Sequence, residues 1–265
     1  MPPELARRIV GEFSSPGDLV LDPMCGIGTT LVEAAALGRR AVGVELEERW
    51  AALARENAVH VLGAENEGRV EVRRGDATAL CEVTSDLEGA VDLVCTSPPY
   101  ACDVGNLDKT AWGKGRDLCP TRERNYSTDR ANLGHARGEA YEQAMTRIYA
   151  GCHRVLRPGG ILVTVTKNTR RSGRTLDLAG LTVVLARRAG FAYLGHVVAL
   201  HGAIRDGDLV GRASFWQLQA VRKARSRGEP LHLVAHEDVL AFAKPATSAS
   251  SQVPTAHRQE ATDAR

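Results

Sequence analysis

Apolar positions along the chain gather in short runs that read as strands: "DLVLD" (18–22), "AVGVEL" (41–46), "RVEVRRGD" (69–76), "VDLVCTS" (91–97), "ILVTVTK" (161–167), "AYLGHVVAL" (192–200) and "HEDVLAFAK" (236–244). Between them the apolar period lengthens to that of a helix. "TTLVEAAALG" (29–38) opens on a threonine suited to capping and closes on a glycine. Residues 139–156 place Tyr141, Met145, Ile148, Tyr149 and Cys152 on one helical face, a core stripe that "RPGG" then halts. This alternation predicts βαβ units in an α/β fold with a mostly parallel sheet.

Two stretches escape the pattern. Residues 101–138 are rich in Gly, Asp, Arg and Asn and too long for an ordinary connection. Residues 246–265 are Ser-, Thr- and Ala-rich without core periodicity, and are expected to be a disordered tail. Residues 1–245 therefore read as a single domain with one insertion at 101–138, and no internal repeat interrupts it.

The length of 265 residues gives ample room for a core. No run approaches the ~18–20 apolar residues of a membrane span, and the N-terminus lacks the layout of a signal peptide. The six cysteines occur singly, without a C-x-x-C pair, so neither a zinc site nor a disulfide framework is indicated. His232 and His236 are four apart, but the surrounding alternation is that of a strand, which argues against a metal pair. A reduced, cytoplasmic protein is the expectation. The net charge of +2 singles out no partner. "KNTRRSGR" (167–174) and "VRKARSRG" (221–228) are basic without any acid, and fit either solvated loops or a phosphate-contacting surface.

Candidate chemistry begins at "LDPMCGIGTT", between a strand and a helix. Gly26 and Gly28 allow a tight turn and close backbone approach of a ligand above a helix N-terminus. Glu45 ends the next strand, about twenty residues on, where a carboxylate binds ribose hydroxyls. Asp76 ends the third strand in "GDAT", placed to reach an adenine edge. No lysine follows the glycines, which argues against a nucleoside triphosphate. A nucleoside without pyrophosphate fits better, and S-adenosylmethionine is the candidate.

"TSPPY" (96–100) adds a second site, since two prolines cannot extend a sheet. With it the sequence resembles the amino-methyltransferases that modify exocyclic amines of nucleic-acid bases, the N4-cytosine/N6-adenine DNA type. "DPMCGIGTT" is similar to their cofactor motif, "TSPPY" to their catalytic motif, and "RVLRPGG" and "HEDVLAFAKP" to later elements. The resemblance implies a Rossmann-like, seven-stranded sheet with an antiparallel last strand. It also implies cofactor contacts from Asp22, Pro23, Cys25, Gly26, Gly28, Thr29, Thr30, Glu45 and Asp76. Ser97, Pro98, Pro99 and Tyr100 are implied as the catalytic corner. There the Ser97 side chain and the Pro98 carbonyl accept the amine hydrogens, and Tyr100 stacks on a flipped base. Cys95 lies within the strand and reads as core.

Serine before the prolines favours cytosine N4 in DNA, within or without a restriction-modification pair, with adenine N6 next. A tRNA guanine-N2 enzyme and a catalytically silent nucleic-acid-binding regulator are the alternatives. The insertion at 101–138, with Trp112 and Tyr126, is the candidate target-recognition segment. Family members usually begin upstream of the prolines seen here, so Met1 reads as an internal start. Oligomeric state is left open.

Overall fold

A computed structural model describes residues 1–63, 68–99, 129, 131–136, 138–171, 174–211 and 215–246. The element order is α1 (Pro3–Phe13), β1 (Leu19–Asp22), α2 (Thr29–Ala36), β2 (Arg40–Glu45), α3 (Glu48–Leu62), β3 (Val70–Arg74), α4 (Leu80–Val83), β4 (Val91–Thr96), α5 (Glu139–Val155) and β5 (Leu156–Thr166). There follow β6 (Thr169–Arg171), β7 (Arg174–Leu176), α6 (Leu178–Arg188), β8 (Ala192–Leu200), β9 (Gly202–Arg205), β10 (Asp208–Gly211), α7 (Phe215–Arg225) and β11 (His236–Ala243). Each of the seven expected strands forms, and together they make one sheet in the order β3-β2-β1-β4-β5-β11-β8. The pairings from β3 through to β5 are parallel, whereas β11 is antiparallel to both β5 and β8. This is the Rossmann-like methyltransferase fold, and the strand order reverses between β1 and β4.

The central strands are apolar on both faces because helices cover both. Leu19, Leu21, Val94 and Leu162 point to one side and pack with Met145, Ile148 and Tyr149 of α5 and Leu185 of α6. Val20, Leu93, Cys95 and Val163 point to the other, against Ile9 and Val10 of α1, Leu31 of α2 and Ala54 of α3. The expected stripe on α5 is buried at all five positions. Cys95 is core as expected, and burial holds its thiol protonated far above the ordinary range.

Three local expectations need correction. The cap of α2 is Gly28, with φ +84 and no side-chain cap, rather than Thr29. Helix α5 ends before "RPGG" as expected, but β5 starts on Leu156 rather than Ile161. Its register passes from Val91↔Leu156 to Leu93↔Ile161, so the four residues bulge out of the ladder, held by Arg157 donating to Asp92 at 2.5 Å. Residues 232–235 precede β11 instead of forming part of it. The hairpins β6–β7 and β9–β10 were not foreseen. Most of 101–138 and nearly all of 246–265, with Trp112 and Tyr126, lie outside the described residues. Among the described residues no helix is long and apolar enough to cross a membrane.

Candidate active site

A cavity of about 330 Å³ opens at the carboxyl ends of the parallel strands, beside the point where the strand order reverses. Four strand ends contribute to it: Pro23 and Met24 after β1, Glu45 and Leu46 after β2, Gly75 and Asp76 after β3, and Ser97, Pro98 and Pro99 after β4. A 3-10 turn over Leu133–His135, just ahead of α5, closes the remaining side.

The Glu45 carboxylate organises the first two loops. One oxygen accepts from the Gly26 amide at 2.9 Å and the other from the Glu47 amide at 3.0 Å. Each carboxylate oxygen has a second lone pair, so two acceptor sites remain for ligand hydroxyls. Burial raises the carboxyl above its ordinary 4.5, and the two amides partly offset that rise. Asp76 spends one oxygen on the Thr78 amide at 2.8 Å, which caps the turn after β3. Its other oxygen carries no hydrogen bond among the described residues.

Asp22, Cys25, Gly28 and Thr30 are buried behind this surface and do not line the cavity. The Asp22 carboxyl is raised by burial above its ordinary 3.8, partly offset by the Met24 amide, which donates to it at 3.1 Å. Its part is to fix the loop from within. The Cys25 amide donates to the Val44 carbonyl at 3.0 Å, joining β1 to β2, while burial pushes its thiol up and out of reach of ionisation. Gly28 has a reason the sequence did not suggest. A Cβ there would stand 3.0 Å from the Cβ of Ala54, so the glycine lets α2 pack on α3. Gly26, at φ +53, and Thr29, half-buried at the first turn of α2, do not line the cavity either; Gly26 acts on it through its amide, which holds Glu45.

At the proline corner the Tyr141 hydroxyl of α5 donates to the Pro99 carbonyl at 3.2 Å. That bond ties the proline pair to the core helix. Sequence reasoning counted Tyr141 as packing alone, although a buried tyrosine hydroxyl needs a partner and that need was a signal. The 131–135 wall was also missed, because it lies in the stretch read as irregular. Tyr100 lies outside the described residues. Among the described residues no group of three His, Cys, Asp or Glu is arranged to hold a metal ion.

Residues 1–56, the stretch that carries "DPMCGIGTT" and Glu45, match the family model described as DNA methylase, of the N6/N4 type. A tRNA (guanine(10)-N2)-dimethyltransferase of Methanothermobacter thermautotrophicus is 40% identical over 101 residues, which is 38% of this chain and 27% of that protein. The type II methyltransferase M.MthZI of Methanothermobacter thermautotrophicus is 41% identical over 66 residues, 25% of this chain and 19% of that one. The chain thus matches between about a fifth and about a quarter of the length of these relatives. A solved SAM-dependent methyltransferase from Methanosarcina mazei superposes with a TM-score of 0.51 at 16% identity, covering 90% of this chain and 97% of that chain, a likeness of fold alone.

Proposed function

We propose that the chain transfers a methyl group from S-adenosylmethionine to the exocyclic amine of a nucleic-acid base, cytosine N4 in DNA. One observation carries the reading. The ribose-type carboxylate Glu45, the strand-end Asp76 and the Ser97-Pro98-Pro99 corner all open on one cavity.

The residues present fit the cofactor. Glu45 is buried, fixed by two amides and retains acceptor capacity, as binding a ribose diol requires. Asp76 offers its spare oxygen to an adenine amine. Met24 and Leu46 supply apolar wall. S-adenosylmethionine supplies an electrophilic methyl on a sulfonium.

An amine conjugated with a base ring is a poor nucleophile. Ser97 Oγ and the Pro98 carbonyl accept its two hydrogens and turn its lone pair toward the methyl. The prolines have fixed φ, and Tyr141 fastens the second of them, so the acceptors need little reorganisation. Tyr100, next along the chain, stacks on the extruded base. With the methyl gained, the amine nitrogen would carry one proton too many; Ser97 Oγ and the Pro98 carbonyl would hold its hydrogens by hydrogen bonds and the extra proton would pass to water. The thiol of Cys95, protonated in the core, takes no part.

A second reading is favoured by one observation: the longer of the two matches reported above is to a tRNA guanine-N2 enzyme. Incubation with labelled cofactor and either duplex DNA or tRNA, then nucleoside analysis, separates them. N4-methylcytosine from DNA is expected. N6-methyladenine alone, or label only in RNA, overturns the cytosine assignment, and label in neither overturns the substrate class.

A further inference from the structure

The strands fix where the later parts of the chain emerge. Because β11 is antiparallel to both β5 and β8, those two strands run the same way, and Leu200 ends β8 at the same end of the sheet as Thr166, Thr96 and Glu45. Two excursions therefore rise from the end that carries the cavity. The first holds the β6–β7 hairpin. The second runs over 201–235, carries the β9–β10 hairpin and α7, and is cinched where the His201 amide donates to the Ala235 carbonyl at 2.7 Å.

α7 seats Val221 and Ala224, which are 6% and 3% exposed, and thereby turns Arg222, Lys223 and Arg225 to solvent. Other arginines do sit beside acids: Arg73 pairs with Asp86 and Glu71, Arg154 with Glu88, Arg55 with Glu48, Arg7 with Glu33 and, within this excursion, Arg227 with Glu229. Among the described residues no carboxylate pairs with Arg222, Lys223 or Arg225. By sequence, residues 167–176 and 201–235 hold ten Lys and Arg against three Asp and Glu, in a chain whose net charge is +2.

From this we infer that α7, with the excursion that carries it, is a docking surface for the phosphate backbone of duplex DNA. The inference rests on the nucleic-acid reading above and moves the main contact away from the 101–138 insertion. Duplex DNA is the fitting occupant because it is the substrate of that reading and its line of phosphates complements the exposed Arg222, Lys223 and Arg225 on the excursion that leaves β8 at the cavity end. Bound this way, DNA releases counterions, so affinity falls steeply with salt. These contacts position the duplex over the cavity without reading its sequence.

The test is fluorescence anisotropy of a labelled random-sequence duplex, titrated with the full chain at several potassium chloride concentrations. The triple variant Arg222→Gln, Lys223→Gln, Arg225→Gln is compared with Arg187→Gln, Arg188→Gln, two exposed cations at the end of α6 that leads into the start of β8, the opposite end of the sheet. The triple variant is expected to bind at least tenfold more weakly at low salt. Its plot of log affinity against log salt is expected to flatten by about 2 to 3, at roughly 0.9 per phosphate contact. Its affinity for S-adenosylmethionine by calorimetry stays that of the wild type, and the Arg187, Arg188 variant behaves as wild type throughout. Undiminished duplex affinity in the triple variant overturns the surface while the methyltransferase reading stands. An equal loss in the α6 variant reduces the effect to net charge and overturns it as well. Loss confined to a tRNA probe transfers the surface to RNA and overturns the DNA assignment. A wild type that binds no duplex overturns both this inference and the DNA substrate.

Discussion

Two sets of loops rise from the same end of one sheet and are built in opposite ways. Those after β1, β2 and β3 are short and cross-linked. The Cys25 amide reaches Val44, Glu45 holds the amides of Gly26 and Glu47, and Asp76 caps its own turn. Those after β4, β5 and β8 are long, and the last two are strongly basic. The contrast fits the ligands proposed for each set. A small ligand gives too few contacts to order a loop, so its acceptors must be fixed beforehand. A polyanion supplies many weak contacts and tolerates elements that pack sparingly. The proline corner stands between the sets, on the far side of the cavity but fastened to α5 by Tyr141.

If the two sets divide the labour, substitutions in one should leave the other's function intact. The largest effect is expected at the corner. Ser97→Ala should slow methylation by about 10²-fold, the scale of removing one preorganised transition-state hydrogen-bonding group, with cofactor affinity unchanged by calorimetry. Wild-type turnover would make the corner structural and erase the boundary.

Glu45→Ala comes next. Loss of a charged hydrogen-bonding group should weaken S-adenosylmethionine by about 1–3 kcal/mol, while duplex affinity by anisotropy stays constant. Its pH dependence sharpens the point. Because burial raises this carboxyl above 4.5, the proton returns at a higher pH than for an ordinary glutamate. The ionised form accepts ribose hydroxyls, so cofactor affinity should fall on acidification starting above pH 4.5, and Glu45→Gln should flatten that fall.

Gly28→Ala tests packing behind the cofactor loop. A Cβ 3.0 Å from that of Ala54, at φ +84, should cost about 1–3 kcal/mol. At roughly 2–4 °C per kcal/mol for a chain of this size, the thermal midpoint should drop by several degrees. An unchanged midpoint would mean that α3 yields to the methyl.

The smallest effect is expected for Tyr141→Phe, which removes one neutral hydrogen bond of about 0.5–1.5 kcal/mol. As Tyr141 acts through Pro99, kcat should fall a few-fold while KM for the cofactor holds. Equal changes in both would assign Tyr141 to general packing.

Much of this was written in the order of residues alone. Short apolar runs marked the seven strands and a period of 3.6 marked the α5 stripe, because which neighbouring side chains are apolar is a local property of sequence. Gly26, Glu45, Asp76 and the Ser-Pro-Pro corner were legible for the same reason: each sits at the end of a strand that is itself legible, and parallel strands deliver their ends to one side. What only tertiary structure decided were relations between distant segments. Asp22, Cys25 and Thr30 belong to the motif yet lie behind the cavity, which depends on how α2 folds back over β1. Gly28 is glycine because of Ala54, on another helix, and the Tyr141 hydroxyl found its partner at Pro99, 42 residues earlier in the chain. The basic stretch at 221–228 gained a place only once the antiparallel β11 turned β8 to run with β5 and carried 201–235 to the cavity end. Charge is visible in a sequence, but the side of the molecule it occupies is set by strand direction, and strand direction is a property of pairing.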